Sequence, residues 1–202
     1  PKEKPLDTIK FIYHTTPHRG LELLVPVFDA LCKQFDNIHL DVYSGFEIYG
    51  WESRNEAYQG LFDNIKAHPN MTYHGVKSNE EVLKALDEAH IFLYPNVWKE
   101  TSCIALIEAI KSQVICIHPN YGALPETAQN ATIMYDWNED GQYHANYSYS
   151  VARQVLESMQ RDPNYFNGFT YSDRFNLARN SVQSFQVMWN TLLRNLINGG
   201  QR

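Results

Sequence analysis

Short blocks of β-branched and aromatic residues alternate along this chain with longer stretches whose apolar positions recur every three or four residues. "TIKFIYH" (8–14), "NIHLDVYSG" (37–45), "MTYHG" (71–75), "HIFLYP" (90–95), "QVICIH" (113–118) and "ATIMYD" (131–136) read as strands. After the first of them, Leu21, Leu24, Val27, Phe28 and Leu31 fall in helical period, with a kink expected at Pro26. Further helices are expected over 51–66 and from the capping-box spacing "SNEE" (78–81) to about Glu88. "KETSCIALIEAI" (99–110) reads as another, with Ile104, Leu106, Ile107 and Ile110 as its buried stripe. A short helix near 122–129 and two tail helices, over 146–161 and 171–197, complete the pattern. The tail aromatics Tyr165, Phe166, Phe169, Tyr171, Phe175, Phe185 and Trp189 are expected to pack in the core.

Six strand–helix alternations, with strands apolar on both faces, imply a parallel sheet covered on both sides. The predicted fold class is α/β: a doubly wound, Rossmann-like, parallel six-stranded sheet. One domain is expected over 8–202, behind a charged, proline-containing linker at 1–7, with the last helix packing at its edge. In the strand order 3-2-1-4-5-6, ligands bind outside the carboxyl ends of the strands, where strands one and four diverge. The loops there are "HTTPHRG" (14–20) and "PNVWKETSC" (95–103).

Those two loops hold the candidate chemistry. Thr101, Ser102 and Cys103 are placed at a helix N-terminus, where unpaired N–H groups and the dipole favour an anion. Arg19 adds a permanent charge with fork geometry for phosphate oxygens, and Thr15 and Thr16 add hydroxyls. Together they fit a diphosphate. Glu108, two turns into an apolar helix, needs a hydrogen-bonding partner, and a ribose diol is one. Glu100 could accept from sugar hydroxyls or counter charge developing near a sugar carbon. The plain alternative has Ser102 as a cap, Arg19 and Glu108 facing solvent, and Glu100 as an ordinary first-turn acid.

Composition narrows the field. The 202 residues carry a formal charge of −6, which argues against a generic nucleic-acid or anionic-membrane binder. Cys32, Cys103 and Cys116 sit in apolar contexts and read as reduced thiols, so a cytoplasmic setting is expected. No signal peptide or transmembrane run is evident. The missing initiator Met marks the chain as an expected fragment of something longer. His14 and His18 stand four apart, but Pro17 makes the segment a loop, and no metal site is expected. There is no Asp-x-Asp for a Mg²⁺-bridged diphosphate, and no Gly-x-Ser-x-Gly or Gly-x-Gly-x-x-Gly.

"ETSCIALIEAIKSQVICIHPNYGALPE" (100–126) resembles the signature of retaining glycosyltransferases of the GT-B fold, family 4: Glu-x7-Glu, then a Gly-Gly-x-x-Glu-type loop. Glu100 and Glu108 fit the first part, Gly122 keeps one loop glycine, and Glu126 matches the later Glu. "PHRGLELL" (17–24) is similar to the family's basic-Gly helix start, with Arg19 as the phosphate-binding residue. "YHGVKSNEEV" (73–82), with Gly75, Val76 and Lys77, looks like the segment whose backbone holds the base.

The resemblance implies one half of a GT-B fold: a donor domain for a nucleoside diphosphate sugar, without cofactor or metal, facing an N-terminal acceptor domain. It also implies Glu108 on ribose, Glu100 on the sugar, and Arg19 with the 101–103 backbone on the diphosphate. The sequence departs where His14 replaces a first-loop Arg, Thr101-Ser102-Cys103 replaces Gly-x-Gly, Gln113 and Ile115 replace a Gly and a Pro, and Ala123 replaces the second loop Gly. Two other readings stay open: an epimerase- or phosphorylase-like enzyme on a related fold, and a non-catalytic nucleotide-sugar-binding or interaction module.

Overall fold

All six strands pair in parallel in the order β3-β2-β1-β4-β5-β6. They are β1 (Ile9–Tyr13), β2 (Ile38–Val42), β3 (Met71–Tyr73), β4 (Ile91–Leu93), β5 (Ile115–Pro119) and β6 (Ile133–Tyr135). The structure, a computed structural model, describes residues 4–170 and 181–199. In the central register Phe11 lies beside Leu40 on one side and Ile91 on the other. β4 and β5 are buried throughout, whereas β2 alternates, with Ile38, Leu40 and Val42 inside and His39 and Asp41 half-buried. That difference follows from how completely helices cover each strand.

Among the described residues, eight α-helices connect and flank the strands: α1 (Leu21–Cys32), α2 (Gln59–Ala67), α3 (Asn79–Leu86), α4 (Ile104–Lys111), α5 (Leu124–Ala128), α6 (Gly141–Arg161), α7 (Tyr165–Thr170) and α8 (Val182–Gly199). α1 runs through Pro26 as one helix and buries Leu21, Leu24, Val27, Phe28 and Leu31, with Phe28 edge-on to Phe11 at 5.1 Å. Ser78 caps α3 in a full capping box with Glu81. α6 starts five residues earlier than its apolar pattern does, because Asp140 caps it by accepting from the Gln142 N–H at 2.8 Å. The expected helix over 51–66 begins as a 3-10 segment, Glu52–Tyr58, that continues into α2.

Two expectations about helices need correction. The stretch 99–110 is not helical from its start: Cys103 is the cap and α4 begins at Ile104. Its buried face is Leu106, Ala109 and Ile110, while Ile104 is 67% exposed. The second concerns the tail. Phe166 is buried, but Phe185 and Trp189 stand in solvent on α8, because helical periodicity defines an apolar face and not what covers it. Tyr171, Phe175 and the expected helix start at 171–180 lie outside the described residues. Ahead of β1, Lys4 donates to the carbonyls of Leu86, Ala89 and Ser112 at 2.6–3.0 Å, which ties the entering segment to the ends of α3 and α4.

Candidate functional site

The loops that follow β1 and β4 are shaped by buried side chains beneath them. The Tyr13 hydroxyl donates to the Thr16 carbonyl at 3.0 Å, and the Ser44 hydroxyl donates to the Thr15 carbonyl at 2.7 Å. Buried Asn96 pins the next loop, donating to the Trp98 carbonyl at 2.6 Å and accepting the Trp98 N–H at 3.0 Å. The two loops meet at Gly20, whose φ is +122° and where a Cβ would fall 2.2 Å from the Pro95 carbonyl oxygen. Only glycine satisfies both conditions. Gly122, at φ +59°, presses likewise on Glu100: a Cβ there would lie 2.7 and 2.8 Å from its backbone O and N.

These contacts enclose a cavity of about 430 Å³ at the carboxyl ends of the strands. From the loop after β1 it is lined by His14, Thr15, Thr16 and Arg19. Val76 and Lys77 line it after β3, and Glu100, Thr101, Ser102, Cys103 and Glu108 line it after β4 and along α4. Eleven of the fourteen residues singled out from the sequence therefore share one space. Thr101 and Ser102 reach it from the loop and not from the helix, since α4 starts later. Ile104 and Ala105, the first residues of α4, also line it, so the N-terminus of that helix lies beside the cavity.

Gly75, Gly122 and Glu126 are not among the lining residues. Gly75 takes up φ +69° and accepts the Ser44 N–H at 3.1 Å, which sets up Val76 and Lys77 behind it. Gly122 permits the close approach to Glu100, and the Ala123 N–H donates to the Glu100 carbonyl at 2.9 Å. Glu126 is exposed in the first turn of α5.

The charge at the centre is paired. Arg19 donates to Oε1 of Glu100 in an ion pair whose side chains are 21% and 4% exposed. Tyr94, fully buried, donates to the same oxygen at 2.8 Å. Burial alone would lower the Arg19 pKa, but the Glu100 carboxylate and Tyr94 outweigh it and hold the guanidinium above its ordinary value. Burial, reinforced by Tyr13, Cys103 and Glu100, pushes the Tyr94 phenol far up, so it stays a donor. Burial likewise pushes the Cys103 thiol up to about 12, which makes it a packing residue and not a thiolate.

His14 departs from a charged phosphate clamp. Burial pulls its pKa down to about 4, although its bond to the Ala105 carbonyl raises it. With Nε2 3.1 Å from that carbonyl, the neutral ring donates there and leaves Nδ1 as a buried acceptor without a partner. The Thr16 hydroxyl and the Arg19 Nε are also buried and unpartnered. Two unused donors and one unused acceptor thus belong to residues that line a single cavity.

Glu108 is half-buried and accepts from the Asn79 side chain at 2.9 Å. Asn79, the first residue of α3, lines the cavity and was not singled out from the sequence. Tyr94 was missed too, since it reads as one more apolar strand residue. Tyr49, Trp98 and Lys99 also line the mouth. Among the described residues, no group of three or more His, Cys, Asp or Glu side chains could hold a metal ion.

Over residues 2–144, more than two thirds of the chain, the sequence matches the family of glycosyl transferases group 1. The chain belongs to the group 1 glycosyltransferases. No curated protein matches it. Among solved structures, this glycosyltransferase domain is similar to sucrose-phosphate synthase from Thermosynechococcus elongatus, with TM-score 0.71, 17% identity, and coverage of 96% of this chain and 47% of the other. A glycosyltransferase from Rickettsia africae gives 0.68 at 15% identity, covering 98% and 48%. UDP-GlcNAc 2-epimerase from Neisseria meningitidis, bound to UDP-GlcNAc, gives 0.64 at 11% identity, covering 95% and 46%. At these identities the likeness concerns the fold, which is one half of the GT-B architecture, and the group 1 chain spans about half the length of each structure.

Proposed function

We propose that this domain binds the nucleoside diphosphate sugar donor of a retaining glycosyltransferase, the acceptor being held by an N-terminal domain of a longer protein. One observation carries the reading. Arg19, Thr16 and Glu108 line one cavity at the strand switch point, beside the N-terminus of α4. An anion with a polar diol beyond it answers that set of groups, and a nucleoside diphosphate is such a molecule.

In this reading Arg19 and the N–H groups opening α4 hold the diphosphate. Glu108 takes the ribose hydroxyls, its second oxygen being free of Asn79. The 75–77 segment lies against the base through its backbone, and the Glu100 region faces the donor sugar. Charge accumulates on the departing diphosphate in the transition state, and donors already fixed around it lower the barrier by several kcal/mol. Retention of configuration and independence of metal follow from family resemblance, and Arg19 then supplies the cationic charge. A cytoplasmic setting belongs to the same reading and is supported by three free cysteines. Among the described residues no helix is long and apolar enough to cross a membrane.

Calorimetry with UDP, GDP and their sugars tests the proposal. Binding of at least one below millimolar concentration is expected; heat from none of them would overturn it. Hydrolysis or transfer by this domain alone is not expected, because half of the cleft belongs to the acceptor domain.

A further inference from the structure

Glu108 reaches the cavity wall already committed on one side. Its Oε1 accepts from Asn79 Nδ2 at 2.9 Å, and both residues line the cavity. A carboxylate only accepts, so the amide nitrogen has to be the end of Asn79 that meets it, which leaves the amide carbonyl Oδ1 as a spare acceptor. Among the described residues neither Asn79 Oδ1 nor Glu108 Oε2 has a partner. Both side chains are within reach of solvent, Asn79 exposed and Glu108 half-buried. The backbone that carries Asn79 is held by its neighbours. Ser78 Oγ accepts the Glu81 N–H at 3.3 Å, and the Glu81 carboxylate takes the Ser78 N–H at 3.0 Å. Val76 and Lys77, just ahead of this cap, line the same cavity.

We infer that Asn79 and Glu108 together read a cis-diol, one ribose hydroxyl donating to Glu108 Oε2 and the other to Asn79 Oδ1. The domain then takes ribonucleoside diphosphates and discriminates against their 2′-deoxy counterparts. This rests on the reading of the cleft as a nucleoside diphosphate site and adds Asn79 to it as a specificity-determining residue. The reason lies in what anchoring does to a carboxylate. A carboxylate free to rotate follows whichever hydroxyl a deoxyribose retains. Anchored through Oε1, Glu108 offers one oxygen in one place, and the second hydroxyl has to find Asn79. A ligand that lacks one hydroxyl leaves an acceptor unpaired while its own bulk keeps water away. Asn79 does this without supporting the fold, since the cap of α3 is made by Ser78 and Glu81.

Calorimetry that compares UDP with 2′-deoxy-UDP and GDP with 2′-deoxy-GDP tests this, with inorganic pyrophosphate as the probe that carries no ribose. The wild-type chain is expected to prefer the ribose form by about tenfold. In Asn79→Ala the ribonucleotide is expected to weaken about two- to threefold while the 2′-deoxy form and pyrophosphate stay unmoved. The preference then falls to roughly fourfold, and urea unfolding of the variant is expected to match the wild type. If neither UDP nor GDP binds the wild-type chain, the cleft reading fails and the inference with it. Equal affinity for ribose and 2′-deoxyribose forms would leave the cleft reading standing and overturn the inference. A preference untouched by Asn79→Ala would give the discrimination to Glu108 alone and overturn it too. So would a parallel loss of pyrophosphate, which would make Asn79 a general support of the cleft wall.

Discussion

Glu100 and Glu108 stand eight residues apart in one segment, and their surroundings could hardly differ more. Glu100 lines the crevice while almost fully buried, shared between a guanidinium and a phenol and clamped through its backbone by the 122–123 turn. Glu108 sits on the cavity wall with one hydrogen bond, from Asn79, and water within reach. The first is therefore part of the fold's electrostatic framework, and removing it leaves buried groups unpaired. The second is available to a ligand and can be removed without disturbing anything beneath it. Two carboxylates in one motif can thus be separated by what each would leave behind.

The sharpest way to break this contrast is stability. Glu100→Ala is expected to destabilise the domain by about 3 kcal/mol, because Arg19 and Tyr94 lose their acceptor, whereas Glu108→Ala is expected to stay within about 0.5 kcal/mol. Urea unfolding of both variants checks this, and similar losses would erase the distinction. The comparison has to be made at neutral pH. Burial holds His90 and His118 near pKa 4, so each is neutral in the fold and charges readily in the unfolded chain. The unfolded state then binds more protons between about pH 6.5 and 4. Stability is expected to be complete above 6.5 and to fall as acid is added, by up to ~1.4 kcal/mol per pH unit for each histidine. Melting temperatures at pH 7, 6, 5 and 4.5 report this, and His118→Asn should flatten the decline.

Binding gives smaller effects. Glu108→Ala is expected to weaken UDP or GDP about tenfold, ~1.4 kcal/mol, and to leave inorganic pyrophosphate unaffected. Equal losses for both would remove the ribose role. Asn79→Ala, which frees the Glu108 carboxylate to rotate, is expected to weaken the same diphosphate by only about two- to threefold.

Strand order was legible in the sequence because each apolar block was short, β-branched and bounded by polar turns. The pairing of Arg19 with Glu100 was not, since the two lie far apart along the chain and meet only through loop contacts at Gly20 and Gly122. Tyr94 was hidden for a related reason: a tyrosine that closes an apolar strand looks like core, and its hydroxyl acquires meaning only once Glu100 folds over it. The start of α4 was read too early because "ETSC" continues a plausible helix, while its backbone is in fact committed to the Ala123 turn. The exposed face of α8 shows the same limit, for periodicity marks a surface and leaves its neighbour unnamed.

The direct contact of Gly20 with the Pro95 carbonyl also governs how the crevice meets a guest. With backbone against backbone, the loops after β1 and β4 are fixed to each other at that point as the chain folds, so that part of their ordering is complete before a ligand arrives.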